Sequence, residues 1–397
     1  MALDPVLLDW LNLGIRWLHV IAVIAWIGSS FYFIHLDASL TNPGGLPVGV
    51  YGETWQVHGG GFYRMQKYTV APPELPEHLT WFKWEAYTSF LSGFALLIAL
   101  YYTNPDLYLI DPDVLALSPT GAIAISIGSI LLGIVVYEVL CRSPLGRNDT
   151  LLAIVGSLAI VLGAWVLTHI FSGRGAFIHV GLIVGTIMVA SVAHVIIPNQ
   201  RKVVKSLLAH ETPDPKLGPQ ARQRSLHNNY LTLPVLFFML SGHYPLTFAS
   251  RWNWVIVALV LITAFPIRYF FNQRHRGNPT PWWTWAVTAA GFVAMVWISV
   301  ASPATDTAAA QPVQFAQVEE VVVSRCSMCH AAEPVWEGIV APPKGVMLDT
   351  PEHIRAHMGH IGNQAVLTHA MPPGNLTEIS PEERAVLAAW IDGRVVE

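Results

Sequence analysis

The chain has 397 residues, of which 53% are hydrophobic and only 12% charged, and its net charge is -4. A wholly soluble protein would carry about 25% charged residues, so that class is excluded. An acidic balance with no basic tract excludes nucleic acid as a partner. Fifteen tryptophans and a mean hydropathy of +0.45 point instead to a lipid bilayer.

The opening stretch, MALDPVLLDWLNLG, has no basic leader and carries Asp4 and Asp9. That predicts a retained first helix in place of a cleaved signal peptide. Eight apolar segments follow, at roughly 12–35, 82–102, 119–140, 150–170, 175–197, 228–243, 251–271 and 282–301. Each is close to the ~20 residues that cross a bilayer as a helix. The sixth is the weakest, because Pro234 and Gly242 interrupt it. The first connection, 37–80, contains GGGFYRMQKY and several aromatics beside Arg64 and Lys67. It reads either as an interfacial helix with a glycine hinge or as a lid or pocket wall.

Basic residues set the orientation. Arg142 and Arg147, then Arg201, Lys202, Lys205, Lys216, Arg222 and Arg224, then Arg274 and Arg276 fall in alternate loops, which predicts that those loops face the cytoplasm. An even number of spans then places both termini outside. The protein is expected in the inner (plasma) membrane as a multi-pass protein.

After the last span, ASPATDTAAAQPVQFAQ is small, Pro- and Ala-rich and without periodicity, as a tether would be. Then comes CSMCH. Two thiols three residues apart, followed at once by histidine, attach haem covalently: Cys326 and Cys329 take the vinyl groups and His330 ligates the iron. Met371, in HAMPPGN, is the expected second axial ligand, with Met347, Met358 and His369 as rivals. SPEERAVLAAWI reads as a terminal helix with Ser380 as N-cap, Pro381 at its first position and Glu383 closing a capping box. His353, His357 and His360 read as surface histidines on a helix, against a metal cluster. The fold class expected is therefore all-α: a polytopic transmembrane bundle (1–301), a linker (302–314) and a small class I cytochrome c domain (315–397) carrying haem c on the periplasmic side.

Several histidines fall inside the apolar segments, where ionisable groups mark functional sites. His179 and His194 lie 15 residues apart in the fifth segment, about 22 Å of helix. They are candidate ligands of a haem b, with His19 as the outer partner of His179 or His169 and with His35 or His227 as the inner partner of His194; a non-haem metal site, or hydrogen-bonding or gating histidines, are the alternatives. Arg16 either snorkels to the outer interface or binds an anion or a haem propionate.

RWLHVIAVIAWIGSSFYFIHLD at 16–37, GGGFYRMQKY at 59–68 and WFKWEAYTSFLSG at 81–93 resemble the membrane-bound urate oxidase (urate hydroxylase) family, in which a polytopic domain is joined to a C-terminal cytochrome c. The resemblance implies an enzyme of purine breakdown that oxidises urate to 5-hydroxyisourate and passes electrons to the fused haem c. A terminal oxidase or soluble cytochrome would be the next acceptor. Such chemistry needs a cationic clamp, an aromatic wall and a base. Arg16, Arg64 or Lys67 are candidates for the first; Trp26, Phe31, Trp55 or Phe62 for the second; His19 or His58 for the third. A quinol- or quinone-linked cytochrome b/c component is the alternative function.

Overall fold

The computed structural model describes residues 5–72, 74–301 and 312–396. The expected linker, 302–314, lies outside the described residues except at 312–314, and Asp4 lies outside them too.

The membrane unit opens with α1 (Pro5–Ala38), then a β-hairpin of β1 (Val50–His58) and β2 (Gly61–Tyr68). Next come α2 (Trp84–Leu97) with a π turn to Tyr102, the short α3 (Pro105–Tyr108), α4 (Pro119–Arg142) and α5 (Asp149–Thr168). Then follow α6 (Gly173–Ser191), a π segment over Val192–Ile196, α7 (Ile197–Leu208), α8 (Leu217–Ser241), α9 (Asn253–His275) and α10 (Trp283–Ala301). Six of these helical stretches are long and apolar enough to cross a membrane: Val6–Ala38, Pro119–Arg142, Asp149–Thr168, Gly173–Leu208, Asn253–His275 and Trp283–Ala301. The other two expected spans coincide with α2 and with the second half of α8. α2 is short, and the first half of α8, LGPQARQRSLHN, is polar.

The bundle packs around Phe171, Phe177, Val180, Phe238, Ile256 and Val257, all nearly or fully buried. Lipid offers no hydrophobic drive between helices, so close approach of backbones matters. Gly181 supplies it: a Cβ there would stand 2.9 Å from Phe238 Cβ on α8. Gly93 does the same for α1 and α2, where a Cβ would meet the His19 ring at 2.9 Å.

The 37–80 connection does not form the expected interfacial helix, and the chain is accordingly not purely α. It folds as the antiparallel hairpin, with His58 opposite Gly61. Gly59 and Gly60 both take positive φ, +59° and +80°, as the two-residue turn of a right-twisted hairpin requires. Aromatic and branched residues on both sides of that turn favour strand over helix. The hairpin is tied to the end of α1 by Tyr32 Oη–H donating to Gln56 Oε1 at 2.7 Å and by Lys67–Asp37 at 2.7 Å.

The C-terminal unit is built from α11 (Phe315–Arg325), α12 (Ser327–His330), α13 (Pro351–Ala356), α14 (Met358–Ile361) and α15 (Pro381–Ile391). α11 and α15 share a core of Val318, Val321, Val322, Leu387, Ala388 and Trp390. Ser380 and Glu383 form the predicted capping box, with Pro381 in the first turn. The strand pair β3 (Val313–Gln314) and β4 (Val395–Val396) joins the two ends of the unit.

Candidate functional site

The C-x-x-C-H segment closes α11 and forms α12. His330 Nδ1–H donates to the Val346 carbonyl at 2.9 Å, which leaves Nε2 as the free, metal-binding nitrogen. Cys326 and Cys329 are free thiols, not a disulfide. Burial pushes the Cys326 thiol up to about 12 and raises Cys329 as well. Among the described residues no cluster of three or more His, Cys, Asp or Glu is arranged to hold a metal ion. His353 pairs with Asp349 at 2.7 Å, and His357 and His360 stack on each other at the surface. The donor set therefore fits covalent haem better than a dithiol or a zinc half-site. Cys326, Cys329 and His330 would hold it, with Met371, from the loop before α15, as the further candidate ligand. That loop is braced by the buried Arg384, whose Nη1 donates to the Met371 carbonyl at 3.0 Å and also to the Ala365 carbonyl.

The Met371 loop rests on the membrane unit. Ala370 packs against the hydrophobic core of the bundle. Gly374 sits so close to the segment after α3 that a Cβ would stand 2.6 Å from the Ile110 carbonyl oxygen. Beneath this contact runs a directed hydrogen-bond chain. His179 Nδ1–H donates to the Gly175 carbonyl (2.6 Å), so Nε2 accepts from Ser126 Oγ–H (2.5 Å), whose oxygen accepts from Tyr102 Oη–H (2.7 Å).

That chain bears on the haem b candidates. Both nitrogens of His179 are occupied and its ring stacks on Phe171 at 4.7 Å. His194 is exposed, in the π segment. As placed, these two residues do not fit a haem b ligand pair.

The four catalytic candidates do not converge. Arg16 is exposed and its Nε donates to Asn12 at 2.8 Å. His19 Nδ1–H points to the Ser89 carbonyl (3.0 Å) and Ser92 Oγ (3.1 Å), joining α1 to α2. His58 is at the hairpin tip. Arg64 is neutralised by Glu53 at 2.6 Å, and the Gln66 amide together with the Arg64 guanidinium holds the Glu53 carboxyl below its usual range. Along α1, His19 and the hairpin contact at Tyr32 are thirteen residues apart, about 20 Å of helix.

What sequence reasoning missed lies where α1, α8 and α9 meet. Arg268, Asn229 and Asn272 are 6%, 0% and 2% exposed. Arg268 donates to Asn229 Oδ1 from Nε (3.4 Å) and to Asn272 Oδ1 from Nη2 (3.3 Å), and Asn272 Nδ2 donates to Asn229 Oδ1 (3.0 Å). Its Cζ lies 3.7 Å from the centroid of Phe31. Among the described residues no carboxylate pairs with it. The second buried arginine of the bundle, Arg224, differs: Glu138 is 3.1 Å away. The signal for it in the sequence is a charge inside the apolar stretch AFPIRYFFN.

Comparison with curated proteins and with solved structures finds no match. The family model described as urate oxidase N-terminal matches residues 5–299, from the start of α1 to the last turns of α10. With three-quarters of its length under that match, the chain belongs to the urate oxidase N-terminal family.

Proposed function

We propose that this protein is a membrane-bound urate oxidase that delivers the electrons of urate to a haem c on its own C-terminal unit. The observation that carries this is the conjunction of the family match over 5–299 with CSMCH at 326–330, while the loop that carries Met371 rests on the matched region through Ala370, Gly374 and Asn375.

The overall change is urate plus water giving 5-hydroxyisourate, two protons and two electrons. Water supplies the oxygen that adds to C5 of the oxidised ring. The electrons leave singly, and bound haem c would supply a one-electron carrier of raised potential under His/Met ligation. His330 is oriented for that role by Val346, and the Met371 carbonyl is held by Arg384. Docking of Ala370 on the bundle core and of Gly374 against the Ile110 carbonyl supports short-range exit from the bundle. A soluble cytochrome or a terminal oxidase is the external acceptor class. The alternate basic loops support a cytoplasmic hairpin and a periplasmic C-terminal unit in the plasma membrane.

Anaerobic addition of urate to purified full-length protein tests this. Appearance of the reduced haem spectrum, with 5-hydroxyisourate formed at half the electron count, is the expected result. Reduction by a quinol and not by urate would favour the quinol-linked component instead.

A further inference from the structure

Among the described residues, eight buried side-chain nitrogen or oxygen atoms lack a hydrogen-bond partner, and all eight fall between His35 and His275. Buried polar groups are normally paired, so each such atom calls for an explanation. Three belong to one face. Asn229 Nδ2 is orphaned on the amide that accepts from Arg268, and the Nδ1 atoms of His35 and His275 are orphaned on rings 4.5 Å apart. On α1, His35 is one turn beyond Phe31; on α9, Asn272 and His275 follow Arg268 by four and seven residues. All therefore lie on the helix faces that meet at this seam.

A guanidinium inside a membrane bundle without a counter-ion is costly and marks a substrate or ion path. Here its Nε and Nη2 are steadied by neutral amides, its Nη1 makes no hydrogen bond among the described residues, and its face is covered by an aromatic ring. Neutral supports leave the positive charge unspent. We propose that Arg268, Asn229, Asn272 and Phe31 form the binding site for the substrate anion, a planar oxidised-purine ring, with His35 and His275 lining its cytoplasmic side; this rests on the urate reading above.

The chemistry matches group by group. An in-plane pair between the guanidinium edge and a ring oxyanion is charge-assisted. A ring held in that plane extends over the same aromatic face that Phe31 gives to Arg268. Asn229 Nδ2 offers a donor to a ring carbonyl, and the two imidazoles offer a donor or an acceptor to ring N–H and C=O groups. The alternative cations are less suited: Arg224 is paired with Glu138, Arg64 with Glu53 and Lys67 with Asp37. The hairpin stands over the same end of α1, where Tyr32 bonds Gln56, so it is placed to cover the entrance.

Full-length protein in detergent, with urate as the probe, tests the site. Two quantities are read: urate-driven haem reduction, and the urate-dependent rise in melting temperature. In Arg268→Gln the rate at low urate should fall at least about a hundredfold and the thermal shift should vanish. Dithionite reduction and haem content should stay as in the parent protein. Asn272→Ala and Phe31→Leu should raise KM for urate by about five- to twentyfold. If Arg268→Gln does not fold, these two variants decide. Parent-like KM, within twofold, in every variant that folds would overturn the placement. Should the parent protein itself be neither reduced nor stabilised by urate, the urate reading fails and the site with it.

Discussion

Asn375 Nδ2 donates to Asp113 Oδ2 at 3.2 Å, a bond between residues 262 positions apart that joins the C-terminal unit to the membrane unit. The same loop carries Met371 and Gly374. Gly374 has φ +55°, and a side chain there would meet the Ile110 carbonyl oxygen at 2.6 Å and the Asp106 carbonyl oxygen at 3.1 Å. Burial raises the Asp111 carboxyl, and Arg384 across the contact works against that rise. The contact is thus tight at backbone level and polar at its rim.

The first prediction tests that contact. Asp113→Ala removes the rim bond from the membrane side and leaves the Met371 loop intact. Gly374→Val inserts a Cβ and two methyls into the backbone contact. Urate-driven haem reduction should slow about twofold in the former, a rim bond being worth about 0.5 kcal/mol, and at least about tenfold in the latter. Dithionite reduction should be unchanged in both. Parent-like electron transfer in Gly374→Val would show that the contact does not carry it.

Sequence and structure agree where local chemistry is self-sufficient. The long apolar runs, the Ser380–Glu383 cap and the terminal helix are each specified within one continuous segment of chain. The hairpin is less legible, because three successive glycines read equally as a hinge, whereas Gly59 and Gly60 form the positive-φ turn between strands rich in aromatic and branched residues. The Arg268 cluster was illegible for a different reason. Its members come from three helices, and what distinguishes it is the lack of a carboxylate partner, which only the packed bundle reveals.

Haem ligation gives the second prediction. Met371→Ala should keep the covalent haem, because the thiols and His330 are untouched, and should lose the thioether charge-transfer band while the potential falls. Cys326→Ala with Cys329→Ala should abolish haem that survives denaturing gels. Haem retained on gels by that double variant would refute attachment at CSMCH.

Acid stability of the C-terminal unit gives the third. Glu383 loses some hydration by burial, yet the Arg325 side chain and the Ser380 backbone N–H hold its carboxyl below the usual range. Arg325 grips it with contacts of 2.9, 3.0 and 3.1 Å. A depressed carboxyl pKa contributes stability that is present above the unfolded value, near 4.5, and is lost as pH falls through the folded value. Glu383→Gln should therefore lower the melting temperature at pH 7, by about 1–2 kcal/mol in stability, and should flatten the acid limb of the curve. An equal acid slope in both proteins would contradict this.

The fourth prediction separates the two ends of the bundle. Ser126, His179 and Tyr102 form their chain beneath the Met371 loop, whereas Arg268 lies fifteen residues, about 22 Å of helix, from the α3-side end of α9. Ser126→Ala would strand His179 Nε2 without a donor in a fully buried position and cost about 1–3 kcal/mol. Tyr102→Phe keeps the Ser126–His179 bond and should cost less, about 1 kcal/mol. Both should lower the thermal midpoint of the detergent-solubilised protein in that order. Neither should change KM for urate by more than about twofold, since neither residue touches the Arg268 cluster. A large rise in KM for Ser126→Ala, with Arg268→Gln inert, would move the substrate to the outer half of the bundle near Arg16 and His19. A lowered midpoint with unchanged KM would leave the outer chain as the structural floor on which the C-terminal unit docks.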